Sequence, residues 1–376
     1  ACHDTYERTV NKNFFQDGSY KEGNSGYCQS ALVNYISVKK KLEEYGIEVS
    51  DHYKQLIQKN AYYCANLFTA NGSSLRYGDC ANYRREECND WRDVCDLTGD
   101  ETLRYLVTYG EEGIKPKSTM FHSQDSCLTV MRSDFKRDAV YLFTDVRGGG
   151  GHSHCDENSI ILSAYGRTLL CDSGVFSYTA DDPYRIWGLS TRAHNTVEID
   201  EKDQVKWNFV TEVPKGKIHE IYDDNHISKV CQSSYAYKEC EHKRSITFVK
   251  PDLFIIEDEL IAVDKKEHTY DVLWHFAPKA NAIVEGNQCR TRFEKGANIK
   301  IITIGSCDNQ IMKGCVDLSY SQAEEADYLR TRLRDSTSIK TVLVPEKENC
   351  SRNIEVCLAD EHVIIKEDEK LVYEGK

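Results

Sequence analysis

The sequence predicts an α+β, multidomain chain: a helical part over residues 1–115, followed by a large antiparallel β-sandwich of stacked sheets over 116–376. Two observations predict it. From about residue 27 to 108, apolar side chains recur at three- and four-residue spacing, the period of one helix face. After Pro116 the texture changes to short β-branched and aromatic runs, with no helical segments between them, which favours stacked sheets over a parallel α/β fold. With 376 residues, 40% of them hydrophobic and 29% charged, the chain has the length for two domains and the composition to bury a sizeable core.

The elements follow in order. YCQSALVNYISVKKKLEEYG and HYKQLIQKNAYYCANLFTA read as two amphipathic helices, each ending near a Gly or Asn. EECNDWRDVCDLTG and ETLRYLVTYG continue the helical alternation, with Gly99 and Gly110 as stop signals. Strand-like runs include CLTVMRS, AVYLFTDV, SIILSAY, RTLLCDSG, HNTVEID, SITFVK, LFIIEDEL, YDVLWHFA, IKIITIG, KTVLVP and HVIIKED, separated by Gly, Asp, Asn and Lys turns. No fixed-period repeat and no low-complexity linker divides the halves, so their interface is expected to be fixed and a natural place for a cleft.

Composition excludes several classes. A formal charge of −13 argues against a nucleic-acid binder, because a phosphate backbone demands clustered Lys and Arg. An anionic sugar remains compatible, since a few local cations can hold one. Apolar runs such as IILSAY and LFIIEDEL fall far short of the ~20 residues of a membrane-spanning helix, and ACHDTYERTV lacks the regions of a signal peptide, so no membrane partner is expected. Sixteen cysteines are scattered singly without a CxxC pair, which reads as reduced thiols and a cytoplasmic chain. Homo-oligomerisation is left open.

The densest chemical signal is GGGGHSHCDENS, in which four glycines precede His152 and His154. On a strand, residues two apart face one side, so both imidazoles are expected on one surface beside a loop that admits a bulky ligand. Asp172 follows at the end of the next strand, in LLCDSG, and His194 in STRAHNTV. Histidines and a carboxylate form a nitrogen and oxygen ligand set suited to zinc. Cupins offer a rival reading around a redox metal, an HxH strand with a later Glu and His, here Glu157 and His194. The Glu lies one residue too close, and the second half of that pattern is absent.

The segment GHSHCDENSIILSAYGRTLLCDSGVFSY, followed by STRAHNTVEID, resembles the hallmark of the heparinase II/III-like polysaccharide lyases. DSCLTVMRSDFKRDAVYLFTDVRGG resembles the strand pair before that hallmark, while CEHKRSITFVKPDLFIIEDEL and YDVLWHFAP, with His275, resemble the later strands. In the helical half, FFQDGSYKEGNSGY and LRYGDC resemble two further family segments. The resemblance implies a partial α/α toroid followed by the β-sandwich. It also implies cleavage of uronic-acid-containing glycans by β-elimination, with Tyr27 as acid and base and His152 facing the substrate. His154, Asp172 and His194 would hold a structural zinc, and Tyr178, Tyr184 and Arg185 lie where the family places sugar-contacting residues.

The departures are Cys28, where the family usually has a His, and an upstream Asn or His for which His3 stands too close to Tyr27. The toroid also needs earlier helices, so the chain is expected to be the C-terminal part of a longer protein. Besides an active lyase on an acidic poly- or oligosaccharide, the sequence is compatible with a non-catalytic carbohydrate-binding protein derived from one.

Overall fold

Polar caps and apolar periodicity place the helices where they lie in the computed structural model, which describes residues 2–206, 212–319, 322–334, 336–360 and 362–375, with the side chains of 2–4 outside that description. The call on His3 therefore lies outside the described side chains. The helices are α1 (Cys2–Asn13), α2 (Ser25–Glu44), α3 (Asp51–Asn66), α4 (Arg85–Cys88), α5 (Trp91–Thr98), α6 (Glu101–Val107) and α7 (Pro183–Leu189). Asn24, Ser50, Asp90, Asp100 and Asp182 cap α2, α3, α5, α6 and α7, each accepting a bond from a backbone N–H that the helix leaves unpaired. Gly99 ends α5 in the left-handed region, as its position as a stop signal predicts.

Four helical segments match the expected ones within a few residues, with EECNDWRDVCDLTG divided into α4 and α5. The sequence reading has neither α1 nor α7. The seven residues of α7 are too few to establish a period, and its start is marked only by the Asp182 cap and Pro183 in the first turn.

The strands of the first sheet are β1 (Met120–Ser123), β2 (Leu128–Arg132), β3 (Tyr141–Asp145), β4 (Ile160–Ala164) and β5 (Arg167–Leu170), neighbours in that order. There follow β6 (Val197–Ile199), β7 (Lys217–Asp223), β8 (Ile227–Ser234), β9 (Cys240–Val249), β10 (Leu253–Ala262), β11 (Tyr270–His275), β12 (Ile283–Glu285), β13 (Gln288–Arg290), β14 (Asn298–Ile304), β15 (Cys307–Ser319), β16 (Gln322–Leu333), β17 (Ser338–Glu346), β18 (Ile354–Ala359), β19 (His362–Glu367) and β20 (Lys370–Gly375). They form an eight-stranded sheet β12-β13-β14-β17-β10-β9-β8-β7, a four-stranded sheet β15-β16-β11-β6 and a three-stranded sheet β18-β19-β20. All the strand pairs among the described residues are antiparallel, so the chain is helical first and antiparallel β thereafter.

The first sheet is sandwiched between two hydrophobic cores. Tyr141, Phe143 and Ile161 join the helical residues Tyr53 and Tyr63 and the turn residue Tyr77, whereas Leu142, Ile160 and Leu162 turn to Trp274, Phe248 and Phe254 of the β layers. Burial on both faces is why AVYLFTDV and SIILSAY read as continuous apolar runs. Strands β15 and β16 are unexpected from sequence because their side chains are mostly solvent-facing and their apolar alternation is weak.

Among the described residues the cysteines are free, and no helix is long and apolar enough to cross a membrane. Cys28 is fully buried in α2, its Sγ 2.9 Å from that of Cys64, so the position where the family usually has a His points into the helical core.

Candidate active site and metal centre

Three chain segments from the two halves converge at one seam. The first is the start of α2, where the side chain of Asn24 accepts a bond from the N–H of Tyr27 (2.9 Å), a cap typically worth ~1 kcal/mol. This fixes Tyr27 in the first helical turn with 37% of its surface exposed. The second is the turn Arg76–Cys80, and the third is the long connection between β3 and β4 that carries the glycine run. Turn and connection touch through their backbones: the N–H of Asp79 donates to the carbonyl of His152 (2.9 Å). Gly78 has φ +60°, and a Cβ there would stand 2.5 Å from that carbonyl, so only glycine fits.

The expectation that His152 and His154 share a strand is corrected here. Both lie in the irregular connection between β3 and β4, because the glycines and the left-handed Asn158 break the extended geometry that a strand needs. Their rings nevertheless meet one group, since Asp79 accepts from His152 Nδ1 (3.2 Å) and from His154 Nε2 (3.0 Å).

The ring of Tyr27 stacks on that of His152, with centroids 4.0 Å apart and planes 18° apart. The hydroxyls of Tyr27 and Tyr178 are 3.4 Å apart, and the Tyr178 ring stands edge-on to His152 at 6.5 Å. Arg185, on α7, donates through both terminal nitrogens to Asp79, one bond at 3.0 Å, while its guanidinium lies 5.2 Å over the Tyr178 ring. Tyr27, His152, Tyr178 and Arg185 are thus brought together. Tyr184, 51% exposed, stands beside them on α7 with its ring stacked on Phe176. Arg185 meets Asp79 as a bidentate ion pair, the geometry a guanidinium favours.

Electrostatics agree with this arrangement. Burial by itself would raise the pKa of Asp79, but the hydrogen bonds and charges of His154 and Arg185 outweigh it and hold the carboxyl well below its usual range. Burial, the Tyr27 hydroxyl and the negative charge of Asp79 push Tyr178 up, so its hydroxyl keeps its proton.

Behind His152 lies the second cluster. His154, Asp172 and His194, all buried, offer ligand atoms within 4.8 Å of one another. Asp172 comes two residues after β5, and its Oδ1 accepts the N–H of Gly174 (3.0 Å). His194 follows a short 3₁₀ turn (Thr191–Ala193); its Nδ1 is 2.9 Å from Asp172 Oδ2, and its Nε2 is 3.1 Å from the carbonyl of Gly188. Burial works against both charges of this pair, yet mutual attraction wins: Asp172 is shifted down and His194 up. Nearby His275 is pushed down to about 3, first by burial and then by His194, and so is neutral.

The donor set fits a zinc ion. His154 Nδ1 is buried with no partner among the described residues, and the remote nitrogens of both histidines are tied to an acceptor, Asp79 in one case and a carbonyl in the other. Metal-bound imidazoles are held in this way, and an otherwise orphaned ring nitrogen inside a protein is costly. Glu157 stands outside the cluster, its Oε1 accepting the N–H of Gly148 (3.0 Å), so the cupin pairing of Glu157 with His194 is not formed.

Sequence reasoning missed Asp79. Its only signal was the LRYGDC turn, where a glycine in a left-handed position precedes an acidic residue.

This fold and site define the class. Residues 115–354 match the family model described as Heparinase II/III-like, C-terminal, and the chain belongs to that family. It is similar to the heparin-sulfate lyase of Bacteroides stercoris, 24% identical over 316 residues (80% of this chain, 45% of the relative). The heparin-sulfate lyase of Pedobacter heparinus is 20% identical over 309 residues (79% and 45%). The chain therefore spans about half the length of the curated relatives it matches. Among solved structures, heparan sulfate lyase HepC from Pedobacter heparinus superposes with a TM-score of 0.89 at 16% identity, covering 99% of this chain and 61% of that one. The Heparinase III-BT4657 gene product gives 0.87 at 20% identity, covering 98% and 60%. At such identities the likeness is one of fold.

Proposed function

We propose that this chain is the C-terminal part of a polysaccharide lyase that cleaves uronic-acid-containing glycans by β-elimination, leaving an unsaturated uronate. The observation that carries the reading is the stack of Tyr27 on His152 at the seam between the helical and β parts, backed by Asp79 and bordered by exposed tyrosines. Family membership and the heparin-sulfate lyase relatives support the reaction class.

In this reading the helical residues 1–115 are the end of an α/α toroid and 116–376 the β domain, with the substrate lying in the seam. The Tyr27 oxygen, entering the step as phenolate, takes the proton from C5 of the uronate and becomes the neutral phenol. The electron pair of that C–H bond becomes the C4–C5 double bond as the C4–O bond breaks, and the departing oxygen receives a proton from Tyr27. Developing negative charge on the uronate carboxylate calls for nearby positive charge, which the Arg185 guanidinium supplies, while the lone pair on His152 Nε2 can assist proton transfer. Tyr178 and Tyr184 offer exposed ring faces for sugar.

Zinc, held by His154, Asp172 and His194, supplies a structural cross-link rather than Lewis-acid chemistry. It ties the β3–β4 connection, the segment after β5 and the segment before β6 together, and so keeps His152 aimed.

The test is absorbance in the ultraviolet band of unsaturated uronates during incubation with a panel of uronate oligosaccharides, beside Tyr27→Phe. Product formation that falls by ~10²- to 10⁴-fold in the variant is expected, the usual contribution of general acid and base transfer. No product from the wild-type chain on any substrate would favour a sugar-binding protein that has kept the fold without the reaction.

A further inference from the structure

We infer that Asp79 is a positioning residue that sets the ring tautomers of His152 and His154 together, and so couples the metal centre to the side chain stacked on Tyr27. Only the kinetic part of this inference rests on the lyase reading.

Asp79 bonds two imidazoles and a guanidinium at the seam. Its Oδ1 accepts from His154 Nε2 (3.0 Å) and from Arg185, and its Oδ2 accepts from His152 Nδ1 (3.2 Å) and from Arg185 Nη2 (3.0 Å). An ionised carboxylate can only accept, so each imidazole nitrogen facing it carries a hydrogen. In neutral rings this leaves the lone pair of His154 on Nδ1 and that of His152 on Nε2. His154 Nδ1 is the buried atom with no other partner among the described residues, the one available to a metal. The His152 side chain is 26% exposed, and its Nε2 is the ring nitrogen that does not face Asp79.

One carboxylate therefore orients opposite nitrogens of two histidines separated by a single residue. A strand would have presented the two rings alike; the irregular connection presents one through Nδ1 and the other through Nε2. Arg185 completes the coordination of Asp79 without contacting either ring among the described hydrogen bonds.

Asp79→Asn tests the inference. The amide keeps size but turns an N–H₂ group toward the neighbouring imidazoles, and a ring that accepts from it must carry its hydrogen on the other nitrogen, which for His154 is Nδ1, the atom available to a metal. Zinc affinity, measured on the metal-free chain by titrating zinc alone against a chromogenic chelator, is expected to fall ~10- to 100-fold, as for lost partners of metal-bound histidines. On whichever uronate the wild type cleaves, kcat falls by about 100-fold while KM stays within about threefold, since a misdirected proton-transfer group costs the chemical step and not binding. Asp79→Glu keeps an acceptor-only carboxylate and is expected to recover zinc affinity to within about tenfold of wild type. Arg185→Gln leaves both imidazole bonds in place and should hold zinc affinity within about threefold.

Wild-type zinc affinity in Asp79→Asn, or an equal loss in Arg185→Gln, overturns the inference; the latter would make the ion pair the element that matters. If Asp79→Asn does not fold, Asp79→Glu and Arg185→Gln decide it through zinc affinity, a Glu variant weaker than the Gln variant by 100-fold or more being the overturning result. A wild-type chain with no product on any uronate removes the lyase reading, and the zinc titration then decides the role of Asp79 separately.

Discussion

Asp79 and Asp258 keep the same company, a carboxylate against histidine and arginine, in two regions that use it differently. Asp258 on β10 lies directly across from Arg244 on β9 and accepts from its Nε (2.7 Å) and Nη2 (3.1 Å), and it bonds His242 Nε2 (2.7 Å). All three are almost wholly buried, and Arg244 spends its remaining donor on the carbonyls of Asn158 (2.7 Å) and Asn195 (2.8 Å). Asp79 instead joins a turn, a glycine-rich connection and a short helix, and its partners border exposed Tyr27 and Tyr178. The β9–β10 cluster is therefore a brace: it anchors the segments that carry Asn158 and His194 from behind. The seam cluster faces a space where a ligand can lie. Identical side-chain chemistry acquires its role from what stands on its open side.

Breaking the brace should cost most. Arg244→Ala leaves Asp258 buried with His242 alone and takes a donor from two buried carbonyls, and removal of one member of a buried ion pair costs ~3–5 kcal/mol. Urea unfolding is expected to show that loss. A variant as stable as wild type would mean that the brace is dispensable.

Metal removal comes next and acts on the other region. Bound at 100 times its Kd, the proposed zinc would stabilise the folded chain by ~2.7 kcal/mol. Chelation is expected to lower the melting temperature, and added zinc to restore it; an unshifted melting curve after complete chelation would remove the structural metal.

Acid should distinguish the brace by its pH window. Burial opposes the charge of Asp258, yet Arg244 and His242 outweigh it and bring its pKa down to about 2. A depressed carboxylate stabilises fully above its unfolded value, ~3.9, and loses that contribution as pH falls toward 2. Denaturant midpoints taken between pH 5 and 2 should fall within this window, and the fall should be shallower in Asp258→Asn.

The smallest effect belongs to a clasp remote from both clusters. His268 bonds Asp200 (2.9 Å) and Asp264 (2.9 Å), and these bonds raise its pKa. A raised histidine stabilises below its unfolded value, ~6.5, and the contribution is lost as pH rises through the folded value. His268→Asn should thus cost stability at pH 6 and little at pH 9, with a difference under about 1 kcal/mol by thermal melts, as for ion pairs near the surface.

Much of the fold was legible because it is written in local periods. α2, α3 and α6 follow apolar spacing and capping residues, and β2, β3 and β4 show as apolar runs because both faces are buried. Elements without a clear period, such as short α7 and solvent-facing β15 and β16, are among those missed, as are α1 and the buried strand β8. At the site, the sequence alone pointed to His152, His154, Asp172 and His194, since one glycine-rich hallmark and its sequel contain them all.

Only the tertiary structure decided how those residues are used. Asp79 is 73 positions from His152 and 106 from Arg185, and Tyr27 is 151 from Tyr178. Hydrogen bonds over such separations leave no spacing in the sequence. The nitrogen that each ring presents depends on a carboxylate brought in by chain closure, which no local pattern encodes.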